Sequence, residues 1–421
     1  MVGAITHNYV DVVQTSSLVR ACRTKLPGFS DLTAARTEGT DDVSLDEVAA
    51  ILAKLAPEEA SAAAESCMQS MVESLDAQSK YLDAEEWRLM QDSRAIGSIG
   101  LAIASAPGGA RITGTIYGSP AASADIVPGD VLTAIDDVDL TGRTLSEILR
   151  LLRGSPGSRV TITVLRGPNL TSTRLTLIRQ VVHQKPFDGH LLEPGLVYLG
   201  IQTLSDRTTT EMAEVVARVR RENNGAFRGV VLDLRGCPGG VLNDAVAVSA
   251  AFLPAGTLVT ESRGRDLSAN RRFSAVPADY WKDPGADPLA NLPLELKSAP
   301  VAVLIDRRTA SGCEIVASAL HDQKRAVVIG QHSFGNGSIQ SIILMTRRPD
   351  IKRAAIKLTT ARIYRPNGEP LDQNGVEPDV VVPMPDDSAS PAKASPPFGS
   401  SADPIAGRAV EILKSGWSGG R

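Results

Sequence analysis

Apolar positions recur at two periods along this chain, and each change of period marks a part of it. Leu45, Val48, Ile51, Leu52 and Leu55 repeat at helical spacing behind Ser44, with Glu47 three positions on, the pairing of a capping box. A second helix is expected over residues 58–74, and Pro27 with Gly28 separates both from an earlier one, so residues 1–90 read as a helical segment. Between 95 and 180 the period shortens. Ile99–Ile103 is an apolar run entered through glycine, Gly118–Ala122 a turn into a short helix, and Pro128-Gly129-Asp130 a turn before the strand Val131–Ile135. Thr144 caps a helix with apolar residues at 145, 148, 149, 151 and 152; Gly154–Gly157 ends it, and Val160, Ile162 and Val164 alternate as a strand.

Residues 181–382 alternate apolar strands with amphipathic helices. The strands are Leu196–Ile201, Gly229–Arg235, Pro300–Ile305 and Ala326–Ile329; the helices are Thr209–Arg220, Asp244–Phe252 and Glu314–Leu320. This alternation of strands and helices predicts an α/β core with crossover connections. Residues 266–292 read as an irregular surface insertion, 383–403 as a Pro/Ser/Ala-rich linker, and 404–421 as a tail that can form a helix over 404–414.

Composition narrows the functions. Aromatics make up only 4% of the chain, so its cores rest on Val, Leu, Ile and Ala. A net charge of −4 gives no case for a nucleic-acid partner, whose binders normally show a clustered basic face, so none is expected. No apolar run reaches the roughly 18 residues of a transmembrane segment. Thr6, His7, Asn8, Asp11 and Gln14 stand where the apolar core of an export signal would be, so none is expected in these residues. Cys22, Cys67, Cys237 and Cys313 have no zinc-site spacing, and Cys22 and Cys67 read as buried, unbonded thiols.

The residue strings carry a resemblance. The 95–180 pattern resembles a PDZ domain, with Ser98-Ile99-Gly100-Leu101 where such domains hold a peptide carboxylate on backbone amides. Thr309–Glu314, with Phe334–Gln340 following, resembles the site of the C-terminal processing peptidases, or tail-specific serine proteases. Ser74–Leu82, Asp233–Gly240, Lys357–Arg362 and Gly375–Asp379 are similar to further segments of that family. The resemblance implies an α/β multidomain protein: a helical N-terminal segment (1–90), a PDZ domain (95–180) and a peptidase core of the ClpP/crotonase-like type (181–382). It implies a serine endopeptidase that recognises protein or peptide C-terminal tails, needs no metal or cofactor, and works in a periplasmic or other extracytoplasmic setting.

Carried over residue by residue, the family's nucleophile falls on Ser311 and its oxyanion hole on the amides of Gly312 and the Gly239-Gly240 turn. The family's orienting Gln falls on Gln340. The family's Lys base, 25 positions after the nucleophile, falls on Asn336. A Ser hydroxyl needs an adjacent base, and a carboxamide is none. The resemblance therefore implies either an impaired protease or a peptide-binding pseudo-protease. His321, His332, Lys324 and Lys357 are conceivable substitute bases, each with an ordinary surface or core role as the alternative. Cys237 and Cys313 replace family residues in two segments that meet around the site. They read as a disulfide, as a thiol pair in which Cys313 replaces the nucleophile, or as small packed residues. Arg307-Arg308 adds two cations beside Ser311, suited to a peptide carboxylate or to solvent.

Overall fold

A computed structural model of the chain describes residues 1–23, 26, 44–91, 97–116, 119–124, 126–127, 129–167, 171–182, 186–282, 285–345, 354–383 and 398–416. Pro27, Gly28, Gly118, Pro128 and most of the expected linker, residues 384–397, lie outside them. The chain divides into two compact units: residues 1–84, 185–386 and 395–421 form one, and residues 85–184 most of the other.

The N-terminal part holds helices α1 (Val2–Asn8), α2 (Thr15–Arg23), α3 (Leu45–Leu52) and α4 (Pro57–Glu73). The Ser44–Glu47 capping box is present: Glu47 N donates to Ser44 Oγ at 3.3 Å and Ser44 N to Glu47 Oε2 at 2.8 Å. Two expectations are corrected here. The helical reading of 1–90 is interrupted by strand β1 (Lys80–Leu82), whose flanking Ser79 is held through its hydroxyl by Asp76. Cys22 and Cys67 are joined in a disulfide, because α2 packs on α4 and brings their Cα atoms within 4.3 Å.

The second unit opens with helix α5 (Ala84–Gln91) and holds strands β2 (Leu101–Ala106), β3 (Gly109–Thr115), β4 (Val131–Ile135), β5 (Val138–Asp139), β6 (Arg159–Arg166) and β7 (Thr171–Ile178), with helix α6 (Leu145–Leu152). Their order is β2-β3-β4-β6-β7, with β5 on β4, so β2 is an edge strand. Thr144 and Glu147 cap the start of α6 reciprocally. Its end is capped by buried Arg179, whose guanidinium donates to Leu152 O at 3.0 Å and Leu151 O at 2.9 Å. Ile99, Ile112, Leu132, Ile148, Ile162 and Val164 form the core.

The larger unit continues with β8 (Phe187–Glu193), β9 (Leu196–Ile201), α7 (Thr208–Glu222), β10 (Gly229–Asp233), α8 (Leu242–Phe252), β11 (Leu258–Gly264), β12 (Arg271–Ser274), α9 (Pro277–Tyr280), α10 (Glu295–Ser298), β13 (Val301–Ile305), α11 (Gly312–Asp322), β14 (Ala326–Gly330), β15 (Ser338–Leu344), β16 (Ala355–Tyr364), β17 (Val380–Val381) and α12 (Pro404–Lys414). One sheet runs β17-β14-β13-β10-β9-β8, with β9, β10, β13, β14 and β17 parallel. Every residue of β9, β10, β13 and β14 is buried, which explains why these strands are apolar save for Asp233 at the end of β10. Each buried Val, Leu or Ile contributes about 1.5–3 kcal/mol. In a second sheet β16 carries β15 on one side and β1 and β11 on the other, with β12 beyond β11. The expected insertion at 266–292 is thus partly regular: β12 extends this sheet and buries Phe273.

Parallel adjacency positions the site. β10, β13 and β14 lie side by side. The loops leaving their C-terminal ends, where open α/β sheets bind ligands, are therefore neighbours: 234–241, 306–311 and 331–337.

Candidate active site

Ser311 ends the loop after β13 and stands as N-cap of α11, with φ 53° and ψ −121°. A residue with a side chain in this region stores about 1–3 kcal/mol of backbone strain and keeps it only where its surroundings enforce it. Two buried carboxylates provide the enforcement. Asp306, at the end of β13, accepts from Arg308 N and Thr309 N at 3.0 Å each, and from Gly236 N in the neighbouring loop at 2.9 Å. Glu314, wholly buried in the first turn of α11, accepts through Oε2 from Ser311 N at 2.8 Å and Asn336 N at 2.9 Å. Its Oε1 accepts from Gly335 N at 2.7 Å and from the Ser333 hydroxyl. One side chain thereby joins the Ser311 turn to the Asn336 loop.

The glycine loop after β10 closes the third side. Ala310 N donates to Cys237 O at 2.9 Å, and Gly239 O accepts from Leu204 N at 2.9 Å. Gly239 has φ 90°; a Cβ there would lie 2.7 Å from Ser311 Cβ and from Gly312 N, so only glycine allows this approach. Neither the Gly312 nor the Gly240 amide donates to a partner among the described residues. Cys237 and Cys313, both fully buried, are bonded across 6.2 Å between Cα atoms, fastening the glycine loop to α11.

Asn336 is half-buried. Its Oδ1 accepts from Ser338 Oγ at 3.3 Å, which accepts in turn from Gln340 Nε2 at 2.8 Å.

The sequence aligns with known proteins over both units. Residues 195–382 match Peptidase family S41 and residues 111–166 match the PDZ domain. The carboxy-terminal-processing protease of Bartonella bacilliformis is 32% identical over 324 residues, 76% of this chain and 70% of that one. The chain belongs to the S41 carboxy-terminal processing proteases. By family it is a serine-type peptidase, a hydrolase, with a PDZ domain.

Other S41 relatives agree. The chloroplastic carboxyl-terminal-processing peptidase 2 of Arabidopsis thaliana is 29% identical over 75% of this chain and 60% of its own length. For the carboxy-terminal processing protease CtpA of Bacillus subtilis the values are 27%, 76% and 64%. The match thus spans less than two thirds of these two relatives. The photosystem II D1 C-terminal processing protease shares the fold at a TM-score of 0.55 and 22% identity, over 90% of this chain and 91% of that one. A putative S41 protease from Bacteroides fragilis does so at 0.53 and 16%, over 99% and 97%.

Within this S41 chain the other candidates fall as follows. His321 lies at the far end of α11, with Nδ1 3.0 Å from Asp322 and Nε2 3.2 Å from Asp379. The Asp322 hydrogen bond leads in raising its pKa above the usual histidine value. His332 Nε2 meets Asn374 O at 2.9 Å. No hydrogen bond joins either histidine to Ser311, and Lys324 is exposed beyond α11. The disulfide removes Cys313 as a thiolate nucleophile. Arg308 turns back to Asp306 at 3.1 Å, while Arg307 is exposed.

In the PDZ unit, Ser98 exchanges backbone hydrogen bonds with Gln180, Gly100 N donates to Ser98 Oγ at 3.2 Å, Ile99 is buried, and Leu101 opens β2. Gly100 takes φ 76°, where a Cβ would overlap the Ser119 side chain.

Sequence reasoning missed Glu314, Asp306 and the brace behind the glycine loop. There Arg235, buried, pairs with Asp233 and with Asp403, the N-cap of α12, and stacks under the Phe398 ring at 4.1 Å. Glu314 was readable only as a helix-start acid three positions after Ser311. Asp403 had no signal beyond an acid before Pro404.

Proposed function

We propose that this chain captures protein C-terminal tails in its PDZ unit and carries a serine peptidase site at Ser311 whose turnover is severely lowered. The carrying observation is the setting of Asn336. Its amide shares Glu314 Oε2 with Ser311, so the residue stands beside the nucleophile turn, and its side chain ends the Gln340–Ser338 hydrogen-bond chain. A family member needs a base there, and a carboxamide takes no proton at physiological pH.

The rest of the arrangement supports acyl transfer. Ser311 Oγ attacks the scissile carbonyl, and the developing oxyanion is received by the Gly312 amide and by the Gly239-Gly240 turn; one such donor is worth about 3–4 kcal/mol. Among the described residues no side-chain base is hydrogen-bonded to the Ser311 hydroxyl. Its proton passes to water and water returns one to the leaving amine, which costs about 10²–10⁴-fold in rate relative to a positioned base. The tail itself adds to the free edge of β2, its carboxylate facing the Ser98–Leu101 loop. In the limiting form of this reading the chain is an adaptor that holds tails without cutting them.

The test compares wild type, Ser311→Ala, Asn336→Lys and the double variant on a fluorogenic peptide with an apolar C-terminus. Asn336→Lys is expected to raise kcat about 100-fold or more, the double variant to lose that gain, and all four to bind the tail equally. Wild-type turnover already equal to that of Asn336→Lys overturns the reading.

A further inference from the structure

The strand that leaves the Asn336 loop has a free edge. β15 pairs with β16 along its length, from Ser338 opposite Arg362 to Leu344 opposite Ala355, and with no other strand among the described residues. Proteins usually blunt such edges with charge, proline or a covering element, because bare edges recruit other chains. The stretch Ser-Ile-Gln-Ser-Ile-Ile-Leu contains neither charge nor proline. Beyond the irregularity at Ile339/Gln340, alternation puts Gln340, Ile342 and Leu344 on one face and Ser341 and Ile343 on the other. Ile343 packs with the N-terminal helices. Ile342 and Leu344 stay 40% and 43% exposed, so an apolar row is left open on the face that also carries Gln340.

This row is continuous with the active site. It starts at Gln340, linked through Ser338 to Asn336, and the Asn336 amide shares a carboxylate oxygen with Ser311 N. We infer that β15 is the docking edge for the substrate main chain. An extended polypeptide adds beside β15 as a further strand, lays side chains two residues apart on Ile342 and Leu344, and is thereby led to Ser311. The preferred substrate then carries apolar residues at alternate positions on one side of the scissile bond, a selectivity separate from the tail read by the PDZ unit. The inference rests on Ser311 being the peptidase centre; continuity with that centre is what makes the occupant a substrate and not a second copy of the chain.

The experiment uses full-length Ser311→Ala protein and a ten-residue peptide alternating Leu and Ser. The peptide has a C-terminal amide, which removes the carboxylate that PDZ capture needs, and a photo-crosslinker at one end. Cross-links are expected within residues 338–344. Affinity is expected to fall at least tenfold in Ile342→Lys/Leu344→Lys, and likewise for a peptide N-methylated at alternate residues, which cannot pair as a strand. Both substitutions are at exposed positions, and a circular dichroism melt checks folding. Affinity unchanged by both manipulations, or cross-links only elsewhere, overturns the proposal. So does wild-type self-association that the double variant abolishes, which assigns the edge to a second copy. Fluorophosphonate labelling of Ser311 in Asn336→Lys, which restores a base, reports on the peptidase centre separately, so loss of that reading and loss of this one give different results.

Discussion

Replacing Glu314 by glutamine keeps the size of the side chain and removes what the site is tied by. The carboxylate is fully buried and accepts four hydrogen bonds, two on each oxygen. A carboxamide offers one accepting oxygen, and its NH2 must face two donors. In its better orientation the NH2 lies toward Ser333, whose hydroxyl can turn to accept, and toward Gly335 N, which cannot. That leaves one buried amide unpaired, at about 1–3 kcal/mol, and strips the charge assistance from the remaining bonds. The expected loss is about 3–5 kcal/mol. Urea unfolding of Glu314→Gln against wild type measures it, with an unchanged m-value showing that the same transition is compared. A second readout, taken in the Asn336→Lys background where a base is restored, is the rate at which a fluorophosphonate labels Ser311, expected to fall because the turn at φ 53° loses its enforcement. A stability change below about 1 kcal/mol, with labelling intact, would refute the reasoning.

Three further outcomes are expected. Asp403→Ala leaves Arg235 buried with one carboxylate in place of two, and should cost about 3–5 kcal/mol in urea unfolding. His321 is held above its usual pKa, first by its hydrogen bond to Asp322 and then by Asp379, against burial and the nearby Arg365. Its folded value exceeds its unfolded one, so its contribution is fully present below the unfolded value near 6.5 and fades as pH rises through the folded one. His321→Gln should flatten the stability profile there, and an unchanged slope between wild type and variant counts against it. Burial raises the Asp244 pKa to about 6 despite the Thr209 hydrogen bond, so the contribution of Asp244 to stability should decline as pH rises from 3.8 through that value. Asp244→Asn, which still accepts from Thr209, should be the more stable protein at pH 7.5, and a less stable variant in thermal melts would contradict this.

Much of the scaffold was legible because burial on both faces writes itself into a strand as an unbroken apolar run. Residues 229–232, Val301–Ile305 and Ala326–Gly330 are such runs, and the parallel order of their strands brings the Gly239, Ser311 and Asn336 loops together. Short strands whose identity comes from a partner left no such mark. Lys80–Leu82 is a strand because β16 accepts it, and Arg271–Ser274 because β11 does. The Cys22–Cys67 bond joins residues 45 apart whose proximity arises from helix packing, which spacing does not encode. Glu314 and Asp306 have the same local sequence appearance as capping or turn acids on a surface. Only the tertiary fold brings donors from loops far along the chain to them: Gly236 N to Asp306 Oδ1 and Gly335 N to Glu314 Oε1.

The brace on Arg235 has a consequence for the order in which the protein is made. Strands β10, β13 and β14, the Ser311 turn and the Glu314 tie are all encoded before residue 340, whereas Phe398 and Asp403 follow well after it. Gly236 to Gly240 follow directly on Arg235, so during synthesis the glycine loop waits for a partner that does not yet exist. A nascent chain therefore holds an unfinished centre until residues 398–403 have been added. With Asn336→Lys in place, chains arrested on the ribosome short of residue 398 should resist fluorophosphonate labelling that released chains accept; equal labelling of both would remove this role from Phe398 and Asp403.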